Sequence, residues 1–353
     1  MRNSSHFTKK AMIALFVLLL VGLLVYNLQY NHQKRANVSL IEKLKKDNNP
    51  QAELQIGTMY LKGIGVKRDP DEANLWFEKA AAKGNAVAQN YLGCDYYSGI
   101  GIKQSYSKAY YFFKKSANLG NHDAFYNLGN SYWFGRGVPK NKKEAVYWYK
   151  KAVRFGIEPA EYNLALSYYN GNGTKKSCTK AFYLLKRAAS KGYVKAENQL
   201  ALLYHHGCNS INKNYVLENY WYQKAAEKGN AKAAVILGYS YLEGDGVPVD
   251  YKKAAYWFRM AANKNKTSAE YALGEMYYGG LGVKKDYIKA NYWYEKSAKK
   301  NDGCADYALG RDYFYGYGFK QNSEEAIKWL SIAKKNGCVR AEHELLTIER
   351  HAS

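Results

Sequence analysis

Residues 269–283 read Ala-Glu-Tyr-Ala-Leu-Gly-Glu-Met-Tyr-Tyr-Gly-Gly-Leu-Gly-Val, and the pattern Ala-x-x-x-Leu-Gly-x-x-Tyr-x-x-Gly-x-Gly inside that stretch returns along the chain. Its first small residue after the Leu position falls at Gly57, Gly93, Gly129, Ala165, Ala201, Gly238, Gly274 and Gly310, at intervals of 36, 36, 36, 36, 37, 36 and 36. A fixed period of this size marks an array of supersecondary units that stack on their neighbours, not a single globular core.

Each repeat reads as two helices. In the second, Ala88, Leu92, Gly93 and Tyr96 share one helical face, with small residues that let a neighbouring helix approach. Two glycines then stop the helix, Gly63 and Gly65 in the first repeat, Gly99 and Gly101 in the second, Gly135 and Gly137 in the third. A polar stretch with a capping residue such as Asp69, Ser105 or Asn141 opens the second helix. That helix carries a small residue, a large residue three later and a small pair, as in Ala73, Trp76, Ala80 and Ala81. The large residue recurs at Phe112, Trp148, Leu184, Trp221, Trp257, Trp293 and Trp329, and the pattern makes Trp148 a core residue.

These residues, with Ala-Ala-Tyr-Trp-Phe-Arg-Met-Ala-Ala at 254–262, resemble the Sel-1-like repeat family, a relative of the tetratricopeptide repeat. The resemblance implies an all-α, right-handed α-solenoid of helix-turn-helix repeats over residues 51–346, eight repeats and a final capping helix, with 347–353 a tail. The fifth repeat departs from the pattern, with Asn209 in place of the second turn glycine, Glu218 in place of the small residue and one extra residue. Asn265 and Asn301 stand where other repeats close with Gly, and Asn tolerates positive φ.

Residues 1–10 are basic, and 11–28 form an apolar run broken only by Asn27, so one N-terminal hydrophobic helix precedes the array. At 1.5 Å per residue that helix is about 27 Å long, which suits a single-pass signal anchor; a cleaved signal peptide is the second reading. Residues 29–50 read as a polar linker. The expected location is membrane-bound with the array exported (periplasmic or extracytoplasmic), or soluble in the same compartment after cleavage. The five cysteines have no metal spacing, and their odd number excludes complete pairing within one chain. Cys178 with Cys208, and Cys304 with Cys338, are candidate disulfides between successive repeats, against a reading as half-buried thiols.

The sequence presents no catalytic set and no cofactor site. His205-His206 lacks a third metal ligand, and the Gly-x-Gly pairs follow helices, so they are turns and not nucleotide loops. The expected function is therefore a non-enzymatic interaction scaffold. The alternative is a cell-wall or glycan-binding regulator of an envelope enzyme. By analogy with the tetratricopeptide relative, first helices line a concave groove, and a protein or peptide ligand would lie against Tyr97, Tyr126, Trp133, Tyr162, Tyr169 and His205. The chain has a net charge of +23, and residues 88–195 supply +13 of it, from 18 Lys and Arg against 5 Asp and Glu. Lys114, Lys115, Lys150, Lys151, Lys186 and Arg187 recur at 36-residue intervals as a basic stripe on the outer, convex side. The stripe suits an acidic partner or anionic lipid, and export disfavours nucleic acid.

Overall fold

The computed structural model describes residues 36–208 and 211–352, with Leu24 alone of the first 35. Apart from Leu24, the apolar run 11–28 lies outside the described residues, and so does Asn209. Among the described residues no helix is long and apolar enough to cross a membrane.

A first helix, α1 (36–47), leads into helix pairs. The pairs are α2 (Pro50–Lys62) with α3 (Pro70–Ala82), α4 (Ala86–Ser98) with α5 (Tyr106–Asn118), and α6 (His122–Phe134) with α7 (Lys142–Val153). Then follow α8 (Glu158–Asn170) with α9 (Cys178–Ser190), α10 (Val194–His206) with α11 (Tyr215–Glu227), and α12 (Ala231–Glu243) with α13 (Tyr251–Ala262). The last are α14 (Thr267–Gly279) with α15 (Tyr287–Ala298), α16 (Gly303–Tyr315) with α17 (Ser323–Lys335), and the unpaired α18 (Val339–Ala352). The stretch set apart as a tail thus continues α18 as far as Ala352. The described residues contain no strand, only one isolated bridge between Cys208 and Ile211.

The chain falls into two compact bodies. Residues 36–160 with 172–175 make the N-terminal body; 161–171 with 176–352 make the C-terminal body. In both, the local code is the same. The first helix of a pair ends on a left-handed glycine such as Gly135 (φ 72°), and the second opens on an Asp, Asn or Ser whose side chain accepts a helix N–H, as at Asp69, Ser105 and Asn141. Asn265 and Asn301 adopt φ 59° and 60°, as their sequence positions predict.

The pattern misplaces the core by one residue. Trp148 is half-buried, whereas its neighbour Tyr149 is 1 % exposed. Along the array Phe77, Phe113, Leu185, Tyr222, Phe258, Tyr294 and Leu330, each one position after the recurrent large residue, are buried, and of the recurrent residues themselves only Leu184 and Trp257 are. The physical reason is a glycine. A β-carbon on Gly129 would stand 2.4 Å from the Tyr149 ring, and Gly57, Gly93, Gly238 and Gly274 face Phe77, Phe113, Phe258 and Tyr294 in the same way. The hole left by a missing side chain on the first helix is filled by the ring from the second.

A second recurrent contact is polar. Glu53, Glu161, Glu197 and Glu270 are buried on the first helices, and each is met by a cation about 30 positions later in the same repeat: Lys83 at 2.8 Å, Lys191 at 3.0 Å, Lys228, and Lys300 at 2.6 Å. The sixth repeat has Ala234 before Lys264 and the eighth binds Asp306 to Asn336, while the second and third abandon the charges altogether. They carry Gln89 with Leu119 and Phe125 with Phe155 at these positions, and the Phe125 and Phe155 rings lie 6.0 Å apart.

Candidate functional site: the inter-repeat corners

Tyr97, Trp133, Tyr169 and His205 each sit near the end of a first helix, where the chain turns into the second. The last residue of that corner comes from the middle of the next repeat's Gly-x-Gly turn, because the second glycine packs against the backbone of the preceding second helix. A β-carbon on Gly137 would lie 2.0 Å from the carbonyl oxygen of Tyr106, and on Gly173 2.2 Å from that of Lys142. The residue before each of these glycines is thereby held over the start of the previous second helix.

Three different chemistries close this junction within the bodies. In the N-terminal body, Arg136 lies 5.1 Å from the Tyr97 ring centre and 5.4 Å from that of Tyr106, which meets Tyr97 edge-on at 5.4 Å. One repeat on, Lys142 sits 5.5 Å over the Trp133 ring and donates to Asn172 at 2.8 Å. In the C-terminal body the equivalent residues of the next corner, Cys178 and Cys208, are joined by a disulfide. This confirms one of the two candidate pairings; Cys304 and Cys338 are free thiols. The disulfide, Tyr169, Lys176, Ser177, Thr179 and Gly207 line a cavity of about 590 Å³.

The other expected groove residues have distinct surroundings. Tyr126 and Trp133, two turns apart on α6, both pack on Tyr149, at 6.2 and 6.3 Å between ring centres. Tyr162 is half-buried, its ring edge-on to Tyr193 at 5.7 Å, and burial pushes its hydroxyl pKa up. His205 is exposed and bound through Nδ1 to both carboxylate oxygens of Glu218 at 3.0 Å. Burial raises the Glu218 pKa, against the lowering effect of His205. Glu218, a departure from the repeat pattern, is thus the partner that occupies His205. Among the described residues no three His, Cys, Asp or Glu side chains converge as a metal-holding group.

Of the basic stripe, Lys114, Lys115, Lys150 and Lys186 are exposed, while Lys151 and Arg187 are half-buried. Lys151 lies 4.8 Å over Tyr147 and 4.6 Å over Trp148, and Arg187 binds the buried Glu161 at 2.8 Å.

One cluster was overlooked. Near the end of the C-terminal body, the Arg311 guanidinium stands 3.8 Å over Tyr278 and binds Asp312 at 2.8 Å. Tyr278 meets Tyr287 at 5.3 Å, and Tyr287 stacks on Tyr317 at 4.9 Å. Burial pushes the Asp312 carboxyl up to about 6, against the pull of Arg311. This is the Tyr97–Tyr106–Arg136 corner rebuilt with tyrosines. Tyr278 holds, two repeats after His205, the same register position as Tyr97, Trp133 and Tyr169, and that periodicity is its signal in the sequence.

The Sel1 repeat pattern matches residues 50–85, 86–121, 122–154, 158–193, 194–230, 231–266, 267–302 and 305–338. The chain belongs to the Sel1 repeat family. Such repeats serve as protein-interaction scaffolds. Among solved structures, this Sel1 chain is similar to a Sel1 repeat protein from Oxalobacter formigenes, at 32 % identity over 77 % of this chain and 79 % of that one, with a TM-score of 0.63. It is also similar to a protective antigen present in uropathogenic Escherichia coli strains that displays an SLR fold. The identity is 30 % over 88 % of this chain and 74 % of that one, with a TM-score of 0.50. No curated protein matches it.

Proposed function

We propose that this Sel1 protein is a non-enzymatic scaffold that holds an extended protein segment against the aromatic side chains of its first helices. The observation that carries this reading is the pair Tyr126 and Trp133: half-buried, packed at a tilt against one fully buried ring, and flanked by Lys142. Rings held rigidly with part of their surface open lose little entropy on binding, and such aromatics are typical energetic centres of interfaces. Export of the array, with residues 11–28 as the tether, is part of the proposal. The Cys178–Cys208 disulfide supports it, because such bonds persist in oxidising compartments. So does the resemblance to a bacterial protective antigen.

The test is affinity capture from envelope extracts with the full chain and its Trp133→Ala variant, followed by binding kinetics on the captured protein. The expected result is a specific protein whose affinity falls by about 2 kcal/mol or more in the variant. Retention on purified cell wall in place of a protein would favour a glycan-binding regulator and overturn the scaffold reading.

A further inference from the structure

On the outer faces of α5 and α7 the same three-step stripe is written twice. Tyr111, Lys115 and Leu119 follow one another at four-residue steps, and Tyr147, Lys151 and Phe155 repeat them one period later. The apolar members are open to solvent: Tyr111 is 53 % exposed, Leu119 55 %, Tyr147 49 % and Phe155 51 %. The lysines lie over the tyrosine rings, Lys115 at 5.2 Å and Lys151 at 4.8 Å. All of these residues belong to the N-terminal body.

Leu119 and Phe155 occupy the position at which Lys83, Lys191, Lys228 and Lys300 neutralise a buried glutamate in other repeats. In these two repeats the glutamate is gone, replaced by Gln89 and Phe125, so the cation is no longer required there. Loss of that requirement would permit any solvent-compatible side chain, yet both positions carry large apolar ones; Phe155 stacks on the His122 ring at 3.5 Å and lies 6.0 Å from Phe125, and still leaves half its surface open. Around them, α5 has Lys108, Lys114 and Lys115 and no acid, and α7 has four lysines against the single Glu144.

We propose that this face of α5 and α7 is a docking surface for an anionic lipid bilayer. Tyrosine rings favour the headgroup level, lysine stems lie along apolar surface while their ammonium groups reach phosphates, and exposed Leu and Phe enter the acyl boundary. The lysines supply the attraction to anionic headgroups. A purely polyanionic partner, such as an acidic polypeptide or polysaccharide, would use the lysines and gain nothing from Leu119 and Phe155.

Tyr256 and Tyr292, on α13 and α15, are internal controls: they are equally exposed, but their stripes end in Lys264 and Lys300. The experiment is hydroxyl-radical footprinting of the full chain on vesicles of phosphatidylcholine alone, or with about one quarter phosphatidylglycerol. Oxidation of Tyr111 and Tyr147 should fall severalfold on the anionic vesicles only, while Tyr256 and Tyr292 stay unchanged. A tether through residues 11–28 would act on both lipids alike, so equal protection on neutral vesicles overturns the proposal, as does equal protection of all four tyrosines. The variant L119K/F155K installs the residue type used by other repeats and raises the charge. On the bilayer reading it loses the protection; a gain, or protection of the same tyrosines by soluble polyglutamate, assigns the face to a polyanion instead and overturns it.

Discussion

The ring of Tyr149 rests against the backbone of Gly129, twenty residues earlier, so closely that a β-carbon on Gly129 would stand 2.4 Å from Cε1 of Tyr149. At the equivalent positions the fourth repeat carries a different pair, Ala165 and Leu185, both buried. One methyl group more on the first helix is accompanied by a smaller side chain on the second. Other repeats do not all follow this exchange, since the fifth keeps Tyr222 with Ala201 and the eighth pairs Gly310 with Leu330; in the third and fourth the two positions trade volume.

That trade predicts a coupling. Gly129→Ala should gain up to about 1 kcal/mol of helix propensity but lose more, about 1–3 kcal/mol, by overpacking against Tyr149. Tyr149→Leu alone should also destabilise, through a cavity and the lost hydroxyl bond to Asn130. The double variant G129A/Y149L, copying the fourth repeat, should recover at least about 1 kcal/mol relative to the sum of the two. Urea denaturation of the four proteins measures it; simple additivity would refute the volume trade. Trp148→Ala, at a half-buried site, should cost less than Tyr149→Ala.

Gly137→Val should be among the most damaging single changes. The position has φ 76°, and an added β-carbon would lie 2.0 Å from a backbone oxygen of α5, which cannot rotate away. Strain and collision together should cost about 3 kcal/mol or more. Gly120→Ala makes the comparison: it has φ 83° but nothing within 4 Å of the added carbon, so it should cost only the left-handed strain of about 1–2 kcal/mol. Equal thermal shifts for the two would show that the turn does not dock as described.

Asp95 sets a pH dependence. Its carboxyl is 4 % exposed, one oxygen lacks a hydrogen-bond partner, and burial raises its pKa from 3.8 to about 6. An acid whose folded pKa is raised binds its proton more tightly in the native state. Its contribution to stability is therefore best below the unfolded pKa and declines as pH rises from about 4 to about 6, staying low above that. Asp95→Asn should raise stability at neutral pH by about 2 kcal/mol and flatten the slope between those limits. Melting temperatures across pH 4–8 (roughly the window the linkage relation covers) would test it; an unchanged slope in the variant would assign the dependence to other groups.

Reduction should loosen the fourth and fifth repeats selectively. The Cys178–Cys208 bond closes 30 residues, worth about 3.6 kcal/mol in chain-entropy terms. It also stands where the two preceding corners use only cation–ring contacts and a hydrogen bond. Cys178→Ser should therefore speed amide exchange in α9 to α11 while leaving α14 to α17 as they are. Uniform acceleration throughout the C-terminal body would contradict a local staple.

Periodicity alone determined that this chain is a stack of helix pairs, because small residues, turn glycines and capping side chains act over a few positions and repeat visibly. It placed Gly135 at a helix end, Asn141 at a helix start and Asn265 at positive φ. It also put Cys178 and Cys208 in register as a candidate pair.

Contacts between residues about 20 or 30 positions apart were decided only by tertiary structure. Trp148 and Tyr149 are adjacent large aromatics, and which one is buried depends on the glycine across the helix interface. Glu218 looked like a defect until α10 brought His205 to it. Leu119 and Phe155 look like ordinary helix ends until the buried Glu–Lys pair of four other repeats shows what they replace. A one-dimensional pattern records which residue types recur; which of them face one another follows from helix packing, where a difference of one residue turns a side chain by about 100°.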